Sequence, residues 1–309
     1  MKIIQCDNQK TWDDYFISQK QAEFLQSWQW GEFQEKVGNY PIRLQLVEDG
    51  RILGQVQGFE QKILPFAKFI YLPKIGDYPE VLDYLPKFGY FFARIEPAED
   101  IKIPTRYPVF NVVNRQSQNT FLLNIELNAE ELLAGMHAKT RYNIKLAEKK
   151  GVIVKEEKSI DVFWKLNQAT FLRDKFKSHN REYYKKMLEM KDCYQLTAYL
   201  GGEAIASSIL IHFGRMMTYL HGASSDEHRN LMAPYLLQWQ GILLAKKFDA
   251  VNYDFGGVSP EVKEGVNKTI TCYHNYCWEA AHKWTGITRF KAGFGGRGKK
   301  YPQAVEVVF

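Results

Sequence analysis

The residues most suggestive of chemistry lie near the end of the chain. Positions 280–305 hold no acid, yet Lys283, Arg289, Lys291, Arg297, Lys299 and Lys300 fall among them. A basic, glycine-containing stretch of this kind suits a phosphate-bearing partner. A second cluster, Cys272, His274, Cys277 and His282, offers zinc-type ligands. Its spacing matches no finger, and the run from Cys277 to His282 reads as a helix, which would point the four side chains apart. No metal is therefore expected. Walker loops, dinucleotide fingerprints and nucleophile elbows are missing. So is the Arg/Gln-x-x-Gly-x-Gly/Ala loop that holds coenzyme A pyrophosphate on a helix N-terminus.

The elements that must position these groups are written twice. Positions 44–54 read as strand, two-residue turn, strand, and 196–206 repeat that pattern at an offset of 152. Asp49-Gly50 and Gly201-Gly202 are dipeptides that tolerate the positive φ of tight hairpins. Each hairpin leads to an apolar run (68–73 and 217–222) and then to a helix (78–88 and 233–247). Pro234 suits a first helical turn. Each helix feeds a strand ending in an acid, Glu96 or Asp254. The fold expected is α+β, two tandem acetyltransferase-like domains with mixed, largely antiparallel sheets. The boundary is set at 1–135 and 136–309, inside a helix expected over 130–150, and chemistry is expected in the cleft between the domains.

Six stretches, in order along nearly the whole chain, resemble the Fem family of peptidyltransferases. They are Ser27-Trp-Gln-Trp30-Gly-Glu-Phe33, Lys139-Thr-Arg-Tyr-Asn-Ile-Lys-Leu-Ala-Glu-Lys-Lys-Gly151, Gly222-Ala-Ser-Ser225, Ala233-Pro-Tyr235, Tyr253-Asp-Phe-Gly-Gly257 and Arg289-Phe-Lys291-Ala-Gly-Phe-Gly-Gly296. The resemblance implies an aminoacyl-tRNA donor and a UDP- or lipid-linked muropeptide acceptor. It is nearest the FemX type, since 161–195 is too short for the long coiled-coil arm of FemA.

An aminoacyl ester is already activated, so no ATP site and no cofactor are expected. The enzyme must align an amine with the ester carbonyl and stabilise the charge that builds on oxygen. Lys291 matches the lysine of the family's Phe-Lys pair and, with Phe290 and a glycine-rich turn beside it, is the candidate for that task. Glu96 is the candidate base, standing where the family has an Asp. Lys36 and Arg141 are candidates for the acceptor's diphosphate, and Tyr219 and Tyr235 for its channel. Arg289, Arg297, Lys299 and Lys300 are candidates for the tRNA. Asp254 reads as structural.

The 309 residues, 45% hydrophobic and 25% charged with a net charge of +6, bound a two-domain globular chain rather than a disordered or fibrous one. No export signal or membrane span is visible, and four irregular cysteines suit a reducing compartment, so the cytoplasm is expected. Transient contact with a membrane surface is compatible with this. Two rival readings stand: another acyltransferase on the same fold, and a non-catalytic tRNA- or envelope-binding protein.

Overall fold

The structure is a computed structural model that describes residues 1–18, 23–64, 67–174, 178–262 and 269–309. The chain forms two compact units, 1–118 with 300–309, and 119–299. The division thus falls at 118/119 rather than at 135/136, and the last ten residues return to the first unit.

The first unit contains strands β1 (Lys2–Gln5), β2 (Tyr40–Glu48), β3 (Arg51–Leu64), β4 (Ala67–Ile75), β5 (Phe92–Pro97) and β6 (Val109–Asn111), with helices α1 (Gln9–Ser18), α2 (Trp28–Lys36) and α3 (Pro79–Tyr84). The second holds β7 (Asn119–Asn124), α4 (Ala129–Gly135), α5 (Ala138–Lys149), β8 (Ile153–Glu156), α6 (Ile160–Asp174), α7 (Arg181–Leu188), β9 (Cys193–Leu200), β10 (Glu203–Phe213) and β11 (Met216–Ser224). It continues with α8 (Ala233–Lys247), β12 (Asn252–Gly257), β13 (Ile270–Tyr273), β14 (Tyr276–Glu279), α9 (Thr285–Ala292) and β15 (Arg297–Lys300) before the final strand, β16 (Val305–Val308).

The duplication is visible strand for strand. The sheets run β1-β2-β3-β4-β5-β16-β6 and β15-β7-β12-β11-β10-β9-β8. Each contains an antiparallel meander followed by one parallel pair, β4/β5 or β11/β12. Both hairpins close through the expected turns, with φ of 49° and 77° at Asp49 and Gly50 and of 56° and 89° at Gly201 and Gly202. The strand that flanks each parallel pair is antiparallel to it, β16 on β5 and β7 on β12. It comes from opposite ends of the repeat. The first unit borrows its closing strand from the chain's end, which is why a cut at one sequence position separates the domains imperfectly.

A principal core of each unit lies between its sheet and a following helix. In the first unit Leu44, Leu46, Val56, Ile70, Leu72, Ala93 and Ile95 pack against Val81, Leu82 and Leu85. Alternation along β5 (Ala93 and Ile95 fully buried, Phe92 and Arg94 half-buried) marks that face. In the second unit α8 is buried on most sides, with Leu236, Leu237, Trp239, Ile242 and Ala245 in the core. Such a helix reads as apolar all round rather than striped.

Two expectations are corrected. The helix over 130–150 is two helices, α4 and α5: Met136 turns extended and ends the first, and His137 caps the second, its imidazole accepting from the Lys139 amide at 3.1 Å. The segment from Cys277 to His282 is not a helix. Strands β13 and β14 form a hairpin in which Cys272 and Cys277 face each other and are joined by a disulfide. A pair of cysteines opposite each other on neighbouring strands has its side chains on one face, so two of the four suspected metal ligands are consumed by each other. No helix among the described residues is long and apolar enough to cross a membrane.

Candidate active site

The second unit's sheet opens at its parallel pair. β11 and β12 are in register from Met216/Asn252 to Thr218/Asp254, and the pairing then lapses although both strands continue. Two irregularities cause this. On β11 one residue, Leu220, is extra against β10. On β12, Phe255 and Gly256 bulge against β7, with Gly256 at φ 71°. Asp254 holds that bulge: its Oδ1 accepts the Gly256 amide at 2.7 Å and also the hydroxyl of Thr120. Asp254 is therefore structural, as its place in the sequence suggested.

The bulge turns the Gly257 carbonyl towards α9, where the Lys291 ammonium donates to it at 2.7 Å. Lys291 is 6% exposed. Burial drives its pKa from 10.5 down to about 8, against the opposing attraction of Asp254. An amine poised close to neutrality, beside a splayed pair of strands, is what charge stabilisation or proton transfer at this spot requires. α9 itself is anchored from beneath. The buried Thr288 hydroxyl accepts the Ser259 amide (2.8 Å) and donates to the Ser259 hydroxyl (2.9 Å), which in turn meets His282 Nδ1 at 2.9 Å. His282 thus serves the helix that carries Lys291.

Tyr219 stands beside the amine, and Phe290 precedes Lys291 on α9. The Lys291 Nζ lies 5.8 Å from the centre of the Tyr219 ring. Burial pushes the Tyr219 hydroxyl up to about 12, so it stays protonated. Its oxygen sits where only glycine fits, since a Cβ at Gly222 would come within 1.8 Å of it. That is the physical meaning of the Gly222-Ala-Ser-Ser225 stretch. Tyr235 packs edge-on against Phe290 at 4.8 Å. Tyr219, Tyr235 and Phe290 line a cavity of about 300 Å³ together with Ser208, Ser224 and Arg173. Ser208 is 1% exposed and its hydroxyl has no partner. Arg173, at the end of α6, donates to the Ser224 carbonyl (3.3 Å) and pairs with Asp226 (3.7 Å). Sequence reasoning missed Ser208 and Arg173, because neither stands in a recognisable spacing; only the cavity reveals them.

The glycine-rich turn after Lys291 packs closely on neighbouring backbone. A Cβ at Gly295 (φ 78°) would meet the Gly135 carbonyl at 2.7 Å, and one at Gly296 the Leu122 carbonyl at 2.4 Å. The glycines admit neighbouring backbone, pressing the turn onto β7 and the α4–α5 junction. The disulfide hairpin covers the same place: His274 Nε2 meets the Gly135 carbonyl and the Asn275 amide donates to the Gly296 carbonyl, both at 2.9 Å.

The basic candidates concentrate about this hairpin. Arg289 lies over the Tyr273 ring at 4.8 Å, and the Tyr273 hydroxyl meets His137 Nδ1 at 2.9 Å. Arg141 donates from its guanidinium to the Ala134 (3.3 Å) and Met136 carbonyls. Burial lowers the His137 pKa, and His274, Arg141, Arg289 and Lys139 all add to that effect. Arg141 and Arg289, expected to serve different substrates, thus share one cationic neighbourhood. Arg297, Lys299 and Lys300 follow on β15, with Arg297 and Lys300 exposed.

Lys36 and Glu96 belong to the first unit. Lys36 ends α2, whose start Ser27 caps by accepting from the Trp30 amide at 3.1 Å. Trp30 and Phe33 are core residues, and Arg43 lies 3.7 Å over Trp28 while donating to the Trp28 carbonyl. The Ser27–Phe33 motif is thereby a packing motif that fixes the position of Lys36. Glu96 is fully buried, and its two oxygens accept the backbone amides of Arg115 (2.5 Å) and Gln116 (2.9 Å). Both are engaged in holding a turn, which leaves the expected base no surface from which to take a proton.

The FemAB family profile matches residues 110–200 and 192–302. The chain belongs to the FemAB family. It is 29% identical over 139 residues to a Lipid II:glycine glycyltransferase from Staphylococcus saprophyticus, a match covering 44% of this chain and 30% of that relative. The chain therefore aligns with under a third of the curated relative's length. In fold it is similar to the crystal structure of FemX, with a TM-score of 0.78 at 17% identity over 100% of this chain and 98% of that one. The structure of L-PGS from Bacillus licheniformis is more distant, at a TM-score of 0.51 and 11% identity over 91% of this chain and 90% of that one.

Proposed function

We propose that the chain is an aminoacyltransferase that moves an aminoacyl group from aminoacyl-tRNA to an amine of a peptidoglycan precursor, building a cross-bridge. The observation that carries this is the buried Lys291 amine, held by Gly257 at the splay of β11 and β12 and adjoining the cavity of Tyr219, Tyr235 and Phe290. Family membership and the glycyltransferase relative agree with it.

In this reading the donor's aminoacyl end enters the cavity of the second unit. The acceptor amine attacks the ester carbonyl, the C–N bond forms, and the bond to the ribose oxygen breaks. Lys291, protonated, stabilises the oxygen as charge builds there, and Phe290 and Tyr235 exclude water. The acceptor's own amine loses its proton to solvent or to the leaving ribose oxygen, since Glu96 is committed to its turn. Arg141 and Arg289 together hold phosphates, and Arg297, Lys299 and Lys300 extend that surface along the tRNA. Lys36, which ends α2, is the candidate for a phosphate of the acceptor. The lipid-linked acceptor is preferred, by analogy with the relative that uses Lipid II.

The test is incubation of the protein with a mixture of charged tRNAs and either UDP-linked or lipid-linked muramoyl-pentapeptide, with products read by mass. A mass gain of one aminoacyl residue on the lipid-linked acceptor is expected. No gain on either acceptor overturns the reading, and gain of an acyl group from acyl-coenzyme A instead would support the rival acyltransferase.

A further inference from the structure

At one end of the first unit's sheet, five strands finish side by side. Leu64 pairs with Ala67 across β3 and β4, the Lys68 carbonyl accepts the Phe91 amide at 3.0 Å, and the Phe91 carbonyl accepts the Phe309 amide at 3.1 Å. The Pro108 carbonyl, just before β6, then accepts the Val308 amide at 3.0 Å. This run of bonds lays Ile63, Leu64, Phe91, Val308, Val109 and Phe110 along one continuous rim.

These side chains are 50%, 52%, 57%, 36%, 42% and 58% exposed in that order. Single exposed apolar residues need no explanation, but six at one end of a sheet, two of them phenylalanines, mark an interaction surface. The acids around it are few and each is paired with a cation. No acid occurs in 61–76, 84–95 or 101–118. Of the three nearby acids, Glu60 is paired with Lys68, Asp83 with Arg106, and Glu306, opposite Phe110, with Arg94. Lys62, next to Ile63, and Lys87, four residues before Phe91, are exposed. Aromatic and aliphatic side chains flanked by lysines suit the boundary between acyl chains and anionic headgroups.

We propose that this rim docks the first unit on the surface of an anionic bilayer, its apolar side chains entering the headgroup boundary and Lys62 and Lys87 meeting lipid phosphates. The proposal rests on the lipid-linked acceptor preferred above, because such an acceptor is confined to a membrane surface. Docking would convert its capture from a search in three dimensions to one in two.

The experiment is flotation of the full chain with vesicles of mixed phosphatidylglycerol and phosphatidylcholine, or of phosphatidylcholine alone. Preference for the anionic vesicles by ~10-fold or more is expected, weakening with salt. The double variant Phe91→Ser, Phe110→Ser should lose binding ~10-fold or more. It should keep its thermal melt and its turnover on the lipid-linked acceptor dispersed in detergent. Lys62→Glu with Lys87→Glu should abolish the preference for anionic lipid. Equal binding by wild type and the phenylalanine variant, or no binding to either vesicle, overturns the proposal. So does a wild-type dimer that the same variant dissociates, which would give the rim to a second copy of the chain. Failure of the transfer reaction with vesicle binding intact would instead sink the functional reading and leave the surface standing.

Discussion

The ammonium of Lys291 donates to the carbonyl of Gly257 at 2.7 Å, joining the last turn of α9 to the end of β12. The acceptor carbonyl is presented by a bulge that Asp254 ties down, so the position of the amine depends on residues far from it in sequence.

Replacing Lys291 with Met should lower turnover at least ~100-fold while leaving acceptor affinity nearly unchanged, because the lost interaction strengthens only as charge develops. The substitution also changes stability with a definite sign. Folding lowers the lysine pKa from 10.5 to about 8, so between these values the unfolded chain binds more protons and wild-type stability rises with pH. The stability of Lys291→Met relative to wild type should therefore be greatest below pH 8 and fall by up to roughly 3 kcal/mol by pH 10.5. Denaturant unfolding at several pH values reads this, and a pH-independent difference would mean the amine is not buried in solution.

If the protonated amine is the working form, turnover should decline as pH rises through about 8. Asp254 raises the lysine pKa, so Asp254→Asn should move that decline to lower pH. A rate that climbs through the same range would make Lys291 a base. The comparison needs only kcat profiles of the two proteins.

Arg141→Ala should weaken acceptor binding by on the order of 2 kcal/mol if a two-pronged phosphate contact is lost. The shared neighbourhood with Arg289 sharpens the measurement: the two arginines flank one histidine, so Arg289→Ala should affect the same ligand. Loss of tRNA affinity in both variants, with acceptor binding intact, would assign this cationic surface wholly to the donor.

Binding of tRNA should weaken steeply with salt, about one power of salt per phosphate neutralised. Single substitutions of Arg297, Lys299 or Lys300 should each lower that slope by about one and affect all tRNAs alike. Titrating the Lys299→Ala, Lys300→Ala double variant at low and moderate salt checks it. Identical slopes would leave these residues as a solvated surface.

The Cys272–Cys277 bridge closes a short loop, with a sequence separation of 5, so chain entropy assigns it roughly 2 kcal/mol. Adding a thiol reductant, or substituting Cys272→Ser, should lower the melting temperature accordingly. Since the hairpin covers the glycine turn after Lys291, turnover should fall with it. Melting curves that coincide with and without reductant would show that the two thiols are free in solution.

The duplicated hairpins were legible from the chain alone, because Asp49-Gly50 and Gly201-Gly202 encode turn geometry locally and alternation encodes burial. The family motifs were legible because they are short and contiguous. What the sequence hid is everything made by distant pairing. The strand that closes each sheet comes from the other end of the repeat, so the unit boundary has no local signal. The run of 277–282 contains good helix formers, yet pairing with β13 and the bond to Cys272 make it a strand and turn. Glu96 looked catalytic by position, and only the arrival of the Arg115 and Gln116 amides converts it to an anchor. Ser208 and Arg173 carry no motif at all. A cavity is a property of surfaces brought together, and the energies that bring them together are summed over contacts that no window of sequence contains.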